Sequence, residues 1–151
     1  IGAFLMRMRR LNYFRSEMSS VQQATLDKAI AQYEEARKEW AVHFEKKVNR
    51  EVSSRLKMMQ SFFHECKDNM RTCASAYPVE AMRRTVVQEV ILAMKDYGLD
   101  THEAVTTSHQ IDGELRRWVT AGDFIWSDML EPVYARDTFW WLYGSPDASD
   151  S

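Results

Sequence analysis

The sequence predicts an all-α protein, and two observations support that prediction. Only five glycines and three prolines occur among the 151 residues, and none lies between Gly2 and Pro78. Such a stretch lacks the residues that form tight turns, which disfavours hairpins and sheets. In the same stretch apolar residues recur about every 3.6 residues, which is the period of an amphipathic α-helix.

The longest predicted element is one amphipathic helix over about 21–76. Ser19 followed by Gln22 forms a capping-box pattern at its start. A hairpin in the middle would normally reset the phase of the stripe, so we expect a continuous or merely kinked helix of roughly 85 Å. Breaks near Asn49 or at 68–69 are the alternatives. The stripe keeps its phase through Leu26, Ile30, Tyr33, Ala36, Trp40, Phe44, Val48, Val52, Leu56, Met59, Phe63, Cys66, Met70, Cys73 and Tyr77.

Pro78 predicts that this helix ends or kinks sharply there and that a second helix begins, over about 79–97. Gly98 followed by Leu99 predicts a left-handed cap that closes the second helix. Its predicted inner stripe consists of Val79, Met82, Val86, Val90, Ile91 and Met94. A cluster of short aromatic-rich helices is expected to follow, over about 100–108, 112–122 and 137–143.

Four segments describe the expected organisation of the chain. They are a basic amphipathic segment (1–18), the two long helices (19–98), a compact aromatic-rich helical segment (99–144) and a disordered acidic tail (145–151). Residues 1–98 carry 17 basic against 12 acidic side chains, whereas residues 99–151 carry 3 against 10. Because the aromatic-rich end is acidic and the net charge is only −2, nucleic-acid binding is not expected.

The cysteine spacing favours a reducing, intracellular compartment. Cys66 and Cys73 would lie about 10 Å apart along one continuous helix, which is too far for a disulfide. No apolar run approaches the roughly 18 residues of a membrane-spanning helix. The basic start, with Arg7, Arg9 and Arg10, also suits an organellar or membrane-proximal position.

Sequence motifs for catalysis, metal binding and cofactor binding are missing. No glycine-rich phosphate loop or serine-hydrolase elbow occurs. The nearest approach to a zinc-protease motif begins with His102 and Glu103, but Thr106 replaces its second histidine. His64 and Cys66 would project about 200° apart on a helix and could not share a metal ion. We therefore expect a non-catalytic protein without a metal or cofactor.

Partner binding is predicted for two groups of apolar residues. A stripe of roughly 80 Å exceeds what a second helix of about 28 Å and a small C-terminal cluster can cover. In that cluster, residues 139–143 are apolar at five consecutive positions, so a helix could not bury all of them on one side. The predicted contact residues are Trp40, Phe44, Val48, Val52, Leu56 and Phe63 on the stripe, with Trp140, Trp141 and Tyr143 in the cluster.

The expected function is that of a structural or interaction protein, either a scaffold or strut subunit of a larger assembly or a homo-oligomer, with a protein as its partner. If the chain instead folds back near Asn49, it would be a compact bundle that binds a small hydrophobic ligand among Trp40, Met59, Phe63 and the C-terminal tryptophans. The long helix, its near-11-residue rhythm and its basic start are similar in outline to peripheral-stalk subunits of rotary ATP synthases. That resemblance is one of architecture, matches no motif residue by residue, and implies a membrane-associated complex.

Overall fold

The structure, a computed structural model, describes residues 1–67 and 70–146, without the side chains of 70–72. Most of these residues are helical, which confirms the predicted all-α class. The described α-helices are α1 (Gly2–Tyr13), α2 (Ser20–Glu39), α3 (Ala41–Cys66), α4 (Met70–Asp96) and α5 (His102–Trp118). Short 3-10 helices cover Arg15–Glu17, Asp128–Val133 and Trp140–Leu142, and a small sheet joins β1 (Val119–Phe124) to β2 (Tyr143–Pro146).

The single helix predicted over 21–76 is wrong, because the chain interrupts it twice. Trp40 leaves helical geometry, with φ −109° and ψ 36°, between α2 and α3. Helical bonding resumes at once, since the Phe44 N–H donates to the Trp40 carbonyl at 2.8 Å, so the apolar period keeps its phase. After Cys66 the chain reverses, and α4 packs alongside α3. The predicted break at 68–69 lies outside the described residues.

Both helix caps predicted from the sequence are present. The Ser19 Oγ accepts a hydrogen bond from the Gln22 N–H at 3.3 Å, and the Gln22 Oε1 accepts one from the Ser19 N–H at 2.9 Å. At the end of α4, Gly98 has a φ of 69°, and the Leu99 N–H donates to the Met94 carbonyl at 2.9 Å. Only glycine adopts this left-handed geometry without steric cost.

Pro78 lies inside α4 and does not begin a new helix, contrary to the prediction. A proline in a helix interior costs roughly 3 kcal/mol, which burial of neighbouring side chains such as Tyr77 offsets. The predicted inner stripe is also partly wrong, because Val79 and Met82 are exposed while Arg84 is buried. An ion pair across the fold, described below, allows a charged residue to occupy the inner face.

The apolar stripe of α3 forms the centre of the protein's own core. It is covered by α4 and α5, so the premise of an uncovered stripe is wrong for this part of it. Because the chain reverses after Cys66 and not at Pro78, α4 has 27 residues and is long enough to cover α3, which has 26. The α3 residues of the core are Phe44, Val48, Val52, Leu56, Met59 and Phe63, none more than 9% exposed. The resemblance to peripheral-stalk subunits depended on a single long helix, which the structure does not contain.

Cys66 and Cys73 form a disulfide, with their Cα atoms 5.8 Å apart. The expectation of two unbridged cysteines is wrong, because it assumed one helix through both residues. Reversal of the chain between α3 and α4 brings the Cα atoms within the usual disulfide range. The bond joins the two longest helices at their turn.

The C-terminal region differs from the prediction in having one continuous helix, α5, in place of two short ones, and in containing a small sheet. Helix α5 is continuous to Trp118, and the residues after it form β1, which pairs with β2. Gly144 has a φ of 148°, and a Cβ there would lie 2.2 Å from the Thr120 carbonyl oxygen, so the strands meet where only glycine fits. Of the predicted disordered tail over 145–151, Ser145 and Pro146 belong to β2, and 147–151 lie outside the described residues.

Helix α1, the main part of the predicted N-terminal segment, packs closely on α4. A Cβ at Gly2 would lie 2.4 Å from Cγ1 of Val86, so no larger residue fits without a shift of its neighbours. Farther along α1, Arg9 forms an ion pair with the buried Glu89 of α4. None of the helices that the structure describes has the length and apolar content needed to cross a membrane.

Reduction of the disulfide is expected to lower the free energy of unfolding by about 2.5 kcal/mol, because the unfolded chain regains the entropy of a short loop. Urea unfolding with and without dithiothreitol measures this difference. The Cys66→Ser/Cys73→Ser double variant should not respond to the reductant. Unchanged stability of the wild-type protein after thiol titration shows full reduction would contradict the prediction.

Leu56→Ala is expected to lower the free energy of unfolding by about 2–5 kcal/mol, because it leaves a cavity in the core. Met58→Ala, on the same helix but 51% exposed, is the control and should change stability by less than about 0.5 kcal/mol. Chemical denaturation at several protein concentrations measures both effects. A midpoint that rises with protein concentration would contradict a stripe covered by its own chain.

Candidate functional site

An open cleft of 560 Å³ lies between α4, α5 and residues 137–141, which we call the C-terminal turn. Two of the predicted contact residues, Trp140 and Trp141, lie in its wall. The polar side chains that line it include Arg84, Gln88, His109, Asp112, Arg116 and Asp137. The cleft therefore brings together residues from three elements that are far apart in the sequence.

Arg84 of α4 forms the rigid wall of the cleft. Its Nε and Nη2 donate to the two carboxylate oxygens of Asp112 at 2.7 and 2.9 Å, and its Nη1 donates to Oε1 of Gln88 at 3.1 Å. The guanidinium also lies 4.1 Å from the ring centroid of Trp141. At 3% exposure, Arg84 is a buried cation that is stable because it is paired and hydrogen-bonded.

Trp141 is a core residue that attaches the C-terminal turn to α4. Its Nε1 donates to the Thr85 Oγ1 at 3.0 Å, and its carbonyl accepts a hydrogen bond from the Tyr77 hydroxyl at 2.5 Å. Burial raises the pKa of Tyr77 well above its ordinary value, so the hydroxyl stays a donor. The indole is 1% exposed. These contacts determine where the neighbouring Trp140 lies.

Trp140 and Arg116 form the accessible side of the cleft. The Arg116 guanidinium lies 4.0 Å from the centroid of the half-buried Trp140 ring. Arg116 is exposed, and within residues 1–67 and 70–146 this ring contact is its only recorded interaction. His109 is also exposed at the cleft. The guanidinium is therefore oriented by the indole while its N–H donors stay available.

The spacing of α5 explains why these residues share one side of the helix. His109, Asp112 and Arg116 are three and four residues apart, which places them on one face. Gly113 lies beside them, and a Cβ there would meet no atom within 4 Å. The missing side chain helps to keep this side of the cleft open.

The remaining predicted contact residues lie away from this cleft. Trp40 is 56% exposed at the α2–α3 break, where its ring lies 5.8 Å from that of His43. Phe44, Val48, Val52, Leu56 and Phe63 lie in the core, as described above. Tyr143 is buried, and its hydroxyl donates to the Tyr134 carbonyl at 2.6 Å. The structure thus brings together only Trp140 and Trp141 of the predicted set.

The sequence analysis missed the polar half of the cleft. Arg84 and Asp112 are 28 residues apart, so nothing local indicates that they pair. The one available signal was the helical spacing of His109, Asp112 and Arg116, but a predicted break after 108 divided that face. A prediction of one continuous helix would have placed these three residues on the same face.

Comparison of the chain with models of protein families, with curated proteins and with solved structures found no match in any of the three. Across residues 1–67 and 70–146, no three His, Cys, Asp or Glu side chains are grouped so that they could hold a metal ion.

Glu80, one turn before Arg84 on α4, is 2% exposed. Its Oε2 has no hydrogen-bond partner within the described part of the chain. Burial raises the pKa of this carboxyl above its ordinary value, although the neighbouring Arg83 acts in the opposite direction. Glu80 therefore destabilises the folded state when its carboxyl group is ionised.

Glu80→Gln is expected to be more stable than the wild-type protein at pH 7 and to lose that advantage as the pH falls below the ordinary carboxyl pKa of 4.5. A raised pKa means that the folded chain binds the Glu80 proton more tightly than the unfolded chain does. The stability of the wild-type protein therefore falls as the pH rises from the ordinary pKa of a carboxyl to the raised pKa of Glu80. Thermal unfolding between about pH 3.5 and pH 7 measures the difference. The exposed Glu45→Gln is the control. A stabilisation by Glu80→Gln that is equally large at the low and the high end of this pH range would contradict the raised pKa of Glu80.

Proposed function

We propose that this chain is a non-catalytic helical interaction protein that binds an acidic segment of a partner protein at the Arg116–Trp140 side of the cleft. The observation that carries the proposal is an exposed arginine, Arg116, whose guanidinium lies over the half-buried Trp140 ring and has no acidic partner among the described residues. Tryptophan and arginine are the side chains most enriched at the energetic centres of protein interfaces.

The geometry of Arg116 suits a carboxylate. Its guanidinium lies against Trp140, so the bound orientation is partly organised before a partner arrives. The N–H groups lie in the guanidinium plane and can donate two parallel hydrogen bonds to a carboxylate. Because a shallow site lets water compete, the Trp140 ring would also have to contact an apolar part of the same segment.

The fixed wall of the cleft supports binding without catalysis. The two carboxylate oxygens of Asp112 accept hydrogen bonds from Arg84, so this side chain is not free to act as a base beside His109. The cleft therefore offers hydrogen-bond donors and a partly accessible aromatic ring. These groups recognise a ligand but do not by themselves activate one.

The shape of the cleft favours a protein partner over a small hydrophobic ligand. Small-molecule sites are usually enclosed and mostly apolar, whereas this cleft is open and its lining mixes polar and apolar groups in similar amounts. Of the residues expected around a hydrophobic ligand, Met59 and Phe63 are packed in the core and Trp40 lies on the surface. Binding in a larger assembly would accordingly use the aromatic end and not the α3 stripe.

The disulfide indicates the redox state of the compartment in which the protein functions. A stable Cys66–Cys73 bond is typical of an oxidising compartment. We therefore propose an oxidising environment in place of the reducing compartment that the cysteine spacing had suggested.

Selection from a random 12-residue peptide library is expected to enrich peptides that combine Asp or Glu with an aromatic residue. Arg116→Glu should weaken binding of a selected peptide at least tenfold, because it replaces a charge-assisted contact by repulsion, about 1.4 kcal/mol or more. Fluorescence anisotropy of the labelled peptide measures the affinity.

The matched control is Arg117→Glu, the next residue on α5, whose side chain is 73% exposed. It makes the same change in charge outside the cleft and should alter binding by less than about threefold. Equal losses in the two variants, or equal binding of a peptide in which Asn and Gln replace the acids, would refute the proposal.

A further inference from the structure

A second cavity, a groove of 410 Å³, lies between α3 and α5 on another side of the protein. Leu56 and Ala104 contribute its apolar floor, and Arg50, Ser53 and Lys57 line it from α3. None of these residues belongs to the Arg116–Trp140 cleft. The groove is therefore an independent, partly open site with polar side chains along its α3 wall.

Arg50 is one of the few arginines whose side chain makes no hydrogen bond, ion pair or ring contact with the described residues. Twelve arginine side chains are described, and ten of them form a hydrogen bond, an ion pair or a ring contact. The two exceptions within the described part of the chain are Arg7 and Arg50. The nearest acid on its own helix, Glu51, is already bound by Arg55 at 3.1 Å.

The spacing of the α3 residues lets two cations act on one group. Arg50, Ser53 and Lys57 lie at positions i, i+3 and i+7, so they share a helix face. Arg50 and Lys57 are about 10 Å apart along the axis, with Ser53 between them. Because both cationic side chains are long and flexible, they can converge on an anion placed over the Ser53 hydroxyl.

The opposite wall supplies groups that limit the choice of anion. Thr107 of α5 is half-buried, and no described residue bonds to its hydroxyl, so it can donate to the same anion. Glu103 lies in the same wall, and no ion pair crosses the groove from it to Arg50 or Lys57 among the described residues. Its carboxylate would repel a polyanion but would accept a hydrogen bond from a ligand hydroxyl or amine.

We propose that the α3–α5 groove binds a small phosphate monoester that also carries a hydroxyl or amino group. Arg50 donates to two phosphate oxygens, Lys57 supplies a second positive charge, and the Ser53 and Thr107 hydroxyls complete the phosphate contacts. Glu103 accepts from the hydroxyl or amine at the other end of the ligand. The proposal is independent of the peptide cleft, since the two sites share no residue.

Isothermal titration with glycerol 3-phosphate and with phosphoethanolamine tests the proposal, with glycerol as the uncharged control. Arg50→Gln and Lys57→Gln should each weaken binding of both esters at least tenfold. Lys47→Gln, which removes an exposed α3 cation outside the groove, should change it less than about twofold. Thermal unfolding shows whether each variant remains folded, as expected for exposed positions.

A Glu103→Gln variant checks the second half of the site. It should weaken phosphoethanolamine and strengthen inorganic phosphate, because one probe loses its ammonium partner and the other loses a repulsive charge. A uniform change in both probes would overturn the role given to Glu103.

Flotation with phosphatidylcholine vesicles that contain lysophosphatidic acid, a phosphate monoester with a free hydroxyl, distinguishes a lipid headgroup from a free ester as the source of the phosphate. Binding to either source that depends on Arg50 supports the site. Equal losses in Arg50→Gln and Lys47→Gln, or no binding of esters or vesicles at about 10 mM phosphate, would overturn it.

Discussion

The fold depends on the reversal of the chain immediately after Cys66. That turn places α4 against α3 along nearly equal lengths, and α5 then covers the other side of the same apolar stripe. Burial of apolar surface is the dominant favourable term in folding, so the position of this turn decides whether the stripe is a core or an interface. The disulfide stabilises the reversal by restricting the unfolded chain at that point.

Directional contacts then position the aromatic end on this apolar scaffold. The Arg84–Asp112 ion pair connects α4 to α5, and the Trp141 indole is bound to Thr85. Buried polar groups must find partners, so each of these contacts permits only a narrow range of placements. A buried Trp141 leaves Trp140 at the surface as its immediate neighbour. Apolar packing supplies the stability, and the polar contacts determine which aromatic ring remains accessible.

Helix α5 connects the two candidate sites. His109, Asp112 and Arg116 lie on one side of the helix, and Glu103 with Thr107 lie on roughly the opposite side. The inner residues between these faces, including Ile111 and Leu115, hold the helix in the core. A rigid core helix can present different side chains to two clefts, because both faces are held by the same packing.

The sequence alone determined the helical class, the Ser19 and Gly98 caps and the crowding of aromatic rings at the C-terminal end. Periodicity and capping are encoded in a few consecutive residues, so they can be recognised locally. Only the tertiary structure decided where α3 ends, that Cys66 meets Cys73, that α4 continues through Pro78 and that Arg84 is buried. It also decided that Trp141 is buried while Trp140 is partly accessible. Each of these outcomes depends on partners distant along the chain, whose packing overrides local preference.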